Sequence, residues 1–168
     1  MERIAVTHTI PPVFDAASRV LVLGSFPSPK SREVGFFYGH PQNRMWRVLA
    51  CVLDESIVPQ STAERTEFLL RHHIAMWDTI ESCTIVGASD SSIRDVVPNN
   101  LSRILSVAPI CAVFTTGAKA FLYYKRYQLP TTGIPAYQLP STSGANAAWS
   151  LERLVDAYQI VADVLKQT

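Results

Sequence analysis

A chain of 168 residues with 48% hydrophobic and 17% charged content is long and apolar enough for one well-filled core, so residues 1–168 are expected to form a single domain. A formal net charge of +1 excludes a strongly basic nucleic-acid coat but leaves room for a local positive groove, because a field depends on where charges stand. No apolar stretch reaches the length of a membrane span and the N-terminus lacks a signal-peptide pattern, which makes the cytoplasm the expected compartment.

The first expected strand is Arg19–Gly24. Its branched residues Val20–Leu23 run straight into Gly24, Ser25 and a loop rich in Pro, Ser and Lys. Burying such a run and then releasing polar groups is how α/β proteins build a site at a strand's carboxyl end. Aromatics that look exposed follow (Phe36, Phe37, Tyr38), and Asn43 stands at the start of a helix expected over Gln42–Leu53. Lys30, Arg32, Arg44 and Arg47 gather around this segment; they make either a locally positive rim or an ordinary solvated face.

A helix over Thr62–His72 ends in the pair His72–His73, whose rings diverge and make a poor chelate. A strand at Ile74–Asp78 opens into a long polar segment reaching Pro98, read as loop. There follow a helix over Asn99–Val107, a strand at Ile110–Thr115, a helix over Gly117–Tyr127 and a strand at Ala136–Leu139 that empties into LPSTSGAN. The last helix, Ser150–Lys166, repeats apolar residues at helical spacing and has Ser150 as its N-cap.

Alternating strands and helices imply an α/β fold, a three-layer α/β/α sandwich around a central, mainly parallel four-stranded sheet. In such a sheet all the loops after the strands meet on one rim, and that convergence favours a single active site. Cys51 and Cys111 read as buried thiols, and with Cys83 they form no ligand pair, so neither a metal site nor any cofactor is expected.

Three segments carry a resemblance: GSFPS at 24–28, YGHPQNRMW at 38–46 and LPSTSGAN at 139–146. Taken jointly they resemble the signature segments of the uracil-DNA glycosylase superfamily, nearest its hypoxanthine-DNA glycosylase branch, with the mismatch-specific uracil-DNA glycosylases as next of kin. Weaker support comes from IAMWDTI at 74–80, Cys83, Asp90 and SLERLVDAY at 150–158. The resemblance implies the α/β fold above and hydrolysis of the N-glycosidic bond of deaminated bases, chiefly hypoxanthine. The implied partner is damaged double-stranded DNA, engaged by a monomer.

One departure matters most. Phe26 stands where most branches carry a catalytic Asp or Asn, and the hypoxanthine branch shares that gap, with catalysis assigned to the position of Asn43. The resemblance thus makes Asn43 catalytic, its carbonyl accepting from the attacking water while its amide orients it; on the residues alone a helix N-cap is the favoured reading. Gly24, Ser25 and Phe26 would offer backbone amides to the departing base, although Gly24 can also simply end a strand. Tyr38 holds the place of the base-stacking aromatic or serves as a core tyrosine. Ser141 stands where relatives offer His or Asn to the base.

Contacts to DNA are expected from Ser28, Lys30, His40, Thr142, Ser143, Gly144, Ala145 and Asn146, or else the last five form a polar turn and His40 braces its own loop. Gly144 stands where Pro is common and Met45 where Phe is, which alters packing rather than chemistry. Thr116–Lys119 opens a helix but is no phosphate loop, and Asp78 and Asp90 read as loop organisers rather than acid–base groups. No lysine matches a nucleophile position, which implies base release without strand cleavage. A uracil or mismatch-specific activity, a non-catalytic nucleic-acid-binding module and an esterase lacking the GxSxG elbow are the competing readings.

Overall fold

Two sheets of different character divide the chain. In the computed structural model, which describes residues 2–87 and 89–167, strands β2 (Val20–Gly24), β3 (Ile74–Asp78), β6 (Ala112–Thr116) and β7 (Ala136–Leu139) form a parallel sheet in the order β3-β2-β6-β7. Every residue of β2 and β3 is buried. That is why both read as unbroken apolar runs: a strand covered on both faces has no polar side to alternate with.

Helices flank this sheet. Those named α2 (Met45–Val52) and α7 (Leu151–Leu165) pack on each other, with α7 reaching β2, while α3 (Thr62–Arg71) lies on β3. Helix α5 (Ala118–Tyr127) covers β6 and β7. The α/β arrangement expected from the alternation is present. Ser61 and Ser150 cap α3 and α7 as their sequences dictate, each hydroxyl accepting from the third residue's N–H. Helix α2 starts at Met45, three residues later than expected, because Asn43 and Arg44 are engaged elsewhere. Among the described residues no helix is long and apolar enough to cross a membrane.

The segment expected to be loop between Asp78 and Pro98 is instead strand. Strands β1 (Arg3–Thr7), β4 (Ile80–Val86) and β5 (Arg94–Pro98) make a second, antiparallel sheet in the order β1-β4-β5. Register irregularities fall between Ile80 and Ser82 and between Ser82 and Thr84. They set the buried residues of β4 at Ile80, Cys83 and Ile85, a spacing of three and then two, which spoils the strict alternation that signals a strand. These residues join Phe26, Ile93 and Tyr123 in a small core separate from the main one.

Other expectations also change. A short helix α1 (Pro29–Val34) occupies the Pro/Ser/Lys stretch, capped by Ser28 with Pro29 opening its first turn. Helix α4 is only Ser102–Leu105, and a short α6 (Leu129–Thr132) precedes β7. Cys51 and Cys111 are exposed rather than buried. Cys51 follows Arg47 by four residues on the outward stripe of α2, and Cys111 precedes β6 just before burial begins. The aromatic cluster is not exposed either: Phe36 and Phe37 are core residues, with Phe36 stacked on Trp46.

Candidate active site

Parallel register places the ends of β2 and β3 side by side, with Gly24 opposite Asp78. Thr79 and Ile80 then extend the pairing, donating N–H bonds to Gly24 O (2.8 Å) and Ser25 O (3.1 Å). A cavity of about 360 Å³ opens at this edge. Of the residues singled out in the sequence, Gly24, Ser25, Phe26, Ser28, Tyr38, His40, Asn43, Ser141, Ser143 and Ala145 line it, together with Asp78, Ile85 and Thr116. All three signature segments therefore face one space. Lys30, Thr142, Gly144 and Asn146 lie outside its wall.

Gly24 is at the cavity floor because nothing larger fits. A Cβ there would collide with Asp78 Oδ1 and lie 3.2 Å from the Tyr38 hydroxyl. This is the close-approach use of glycine, not strand termination. Among the described residues the Phe26 N–H has no hydrogen-bond partner, and Phe26 lines the cavity. The Phe26 ring packs into the smaller core beneath the Arg32 guanidinium, 5.6 Å from its centroid. An apolar anchor stands where the resemblance implies a polar residue in other branches.

Tyr38 has a left-handed φ of 51°, costly for an aromatic residue. Two bonds hold it there: Trp46 Nε1–H donates to its carbonyl (3.2 Å), and its hydroxyl meets Thr116 Oγ1 (2.9 Å). Burial and the nearby Asp78 carboxylate push the Tyr38 pKa well above its usual value, so the phenol remains protonated.

Asn43 stands one residue before Arg44, the N-cap of α2, and lines the cavity. Its Oδ1 accepts from the Met45 N–H (2.9 Å) and from Thr142 Oγ1 (2.8 Å), which fills the carbonyl. The expectation that this carbonyl receives a water is therefore corrected. What remains is Nδ2, which has no partner among the described residues. Thr142 is 1% exposed, so its expected DNA contact gives way to this inward bond.

Arg44, expected as a surface cation, ties the two segments together. Its N–H donates to Thr142 O (3.0 Å), while its guanidinium bonds the carbonyls of Ser143 (2.9 Å), Asn146 (3.1 Å) and Trp149. Asn146 Nδ2 closes the turn on Ser141 O (3.0 Å), and Gly144 lies against Gln42, where a Cβ would meet its backbone oxygen at 3.1 Å. Lys30 is spent on Glu33 at 3.5 Å. His40 Nδ1 accepts from Gln42 N–H (3.1 Å), bracing its loop and leaving Nε2–H as the free donor.

Asp78, expected only to organise its loop, is 4% exposed and part of the cavity wall. Asn99 Nδ2 holds its main chain, donating to Asp78 O (2.9 Å) and Ile80 O (3.2 Å). The available signal was its position at the end of a strand adjacent to the one ending in Gly24. The side chain of Asp90 lies outside the described residues.

The sequence and the fold match known proteins. The chain belongs to the uracil DNA glycosylase superfamily, whose family model matches residues 11–164. It is 32% identical over 136 residues to a protein of Methanosarcina barkeri (strain Fusaro / DSM 804) named hypoxanthine DNA glycosylase, covering 81% of this chain and 85% of that one. A protein of the same name from Methanosarcina acetivorans is 31% identical over 144 residues, 85% of this chain and 90% of its own. A solution NMR structure of a candidate uracil DNA glycosylase from Methanosarcina acetivorans superposes with a TM-score of 0.82 at 28% identity, covering 98% of this chain and 100% of that one.

Proposed function

We infer that this chain is a monofunctional DNA glycosylase that releases deaminated bases, chiefly hypoxanthine, from duplex DNA, and that it works as a monomer in the cytoplasm. The observation that carries the reading is one cavity walled by all three signature segments, with a free amide donor at Asn43 Nδ2 and a carboxylate oxygen at Asp78 Oδ1. The two relatives' shared name supports hypoxanthine over uracil.

In this mechanism the flipped nucleotide enters beside Tyr38, which stacks on it. The C1′–N bond breaks with its electron pair going to the base, and the Phe26 N–H stabilises the charge arriving on the base. Asn43 Nδ2 donates to one lone pair of a water, leaving the other aimed at C1′. The C1′–O bond forms, the water gives one proton to solvent, and the base takes one from solvent. Positioning suffices because an oxocarbenium-like sugar needs no strong base. Ser141 borders the base, while Ser28, His40, Ser143 and Ala145 face the strand that carries it.

Asp78 Oδ1 reads the base edge. Deamination of adenine turns ring N1 from an acceptor into an N–H donor, as it does N3 of cytosine. A fixed carboxylate oxygen attracts the N–H and repels the acceptor, so it separates hypoxanthine from adenine and uracil from cytosine.

The test is single-turnover base release from a duplex holding deoxyinosine. Wild type should yield abasic sites without strand cleavage, and Asn43→Ala should lower the rate by roughly a hundredfold. Faster release from a uracil duplex would move the substrate assignment, and binding of damaged duplexes without any base release would favour a non-catalytic module.

A further inference from the structure

Asp78 is aimed by a residue from outside the parallel sheet. His8 stands one residue beyond β1, and its Nε2 lies 2.7 Å from Asp78 Oδ2. The two side chains are 2% and 5% exposed. The His8 ring is wedged between two residues of the cavity wall, edge-on to Phe26 at 6.0 Å and tilted against Phe37 at 6.1 Å between centroids. With Oδ2 bound by His8, the other oxygen lies beside Gly24, where no Cβ obstructs it, and no protein group among the described residues bonds it.

A carboxylate that rotates freely offers either oxygen in many directions. Fixing one oxygen with a wedged donor leaves the second a single direction, which is how outer partners orient the groups that touch a ligand. Neutral or protonated, His8 with a proton on Nε2 supplies that donor. We propose that His8 is a positioning residue for base discrimination: through Asp78 it aims a carboxylate oxygen at the ring N–H that deamination creates. This rests on the base-release reading above and extends it to the residue that follows β1 of the antiparallel sheet.

The experiment compares duplexes holding deoxyinosine or 1-deaza-deoxyinosine, in which a C–H replaces the ring N1–H and the shape is kept. Wild type, His8→Phe and His8→Gln are assayed under single-turnover conditions, with unfolding midpoints measured alongside. Relative to wild type, His8→Phe should release hypoxanthine roughly 10- to 100-fold more slowly. On the 1-deaza substrate its rate should stay within about twofold of wild type. His8→Gln, which keeps an N–H donor, should recover most of the loss.

Equal slowing of both substrates by His8→Phe, or slowing of neither, overturns the proposal. So does a Gln variant no better than Phe while equally well folded. A wild type that treats the two substrates alike removes the Asp78 contact, and the role of His8 with it. A wild type that releases no hypoxanthine at all refutes the functional reading itself, a different outcome from the others.

Discussion

The parallel and antiparallel sheets contribute to the same cavity in opposite ways. In the parallel sheet β2 and β3 are buried throughout, and their ends bring Gly24 and Asp78 together by register alone. Strand β1 of the antiparallel sheet is nowhere fully buried, yet that sheet supplies Ile85 to the wall and leads directly into His8, which holds the carboxylate. The difference shows that a site at a sheet's carboxyl edge can owe its floor to one layer and its aim to another. Well-packed register brings groups near each other, but it does not choose which way a side chain points.

The sharpest way to break the comparison is at the parallel edge. Gly24→Ala puts a Cβ into Asp78 Oδ1 and against the Tyr38 hydroxyl, and neither is free to retreat, since His8 holds the same carboxylate through Oδ2 and Thr116 holds the hydroxyl. Base release should fall by at least about a hundredfold, the expected cost of misplacing reacting groups by an ångström. Overpacking should cost only about 1–3 kcal/mol of stability. Single-turnover kinetics with a denaturation curve would separate the two. Near-normal activity would mean that Asp78 can move and that register does not fix the floor.

The smaller core beneath the antiparallel sheet should give less. Ile85 is 3% exposed, belongs to that core and borders the cavity. Ile85→Ala should destabilise by about 2 kcal/mol, the low end for such truncations, because an open cavity beside it limits the contacts it loses. A cost above about 4 kcal/mol would make this sheet as rigid a support as the parallel one.

The two sheets also differed in how plainly the sequence announced them. Val20–Leu23 and Ile74–Trp77 are apolar at every position because both faces are covered, so strand and edge were visible, and the loops at that edge held Gly24, Tyr38 and Asn43. Strand β4 was hidden by its irregular register, which moved Ile80 out of phase with Cys83 and Ile85. The pair of His8 and Asp78 was invisible for another reason: 70 residues separate them, and each alone is an ordinary polar residue beside a strand. Arg44 misled because a cation near a helix start looks solvated, whereas here its planar fork gathers carbonyls from a loop about a hundred residues away.

The smallest effect is expected where the antiparallel sheet leaves the site. Ile4, Val6 and His8 share one face of the strand direction by their period of two, but burial fades along it. The His8 side chain is 2% exposed, Val6 packs partly on the smaller core, and Ile4 is 52% exposed. Ile4→Thr keeps a β-branched residue in the strand and removes little buried area, so stability should stay within about 0.5 kcal/mol and base release should not change. A thermal melt and the deoxyinosine assay check both. If Ile4→Thr instead weakened binding to duplex DNA without altering the melt, the outer end of β1 would itself touch the substrate. The antiparallel sheet would then be a second contact surface as well as the support for His8.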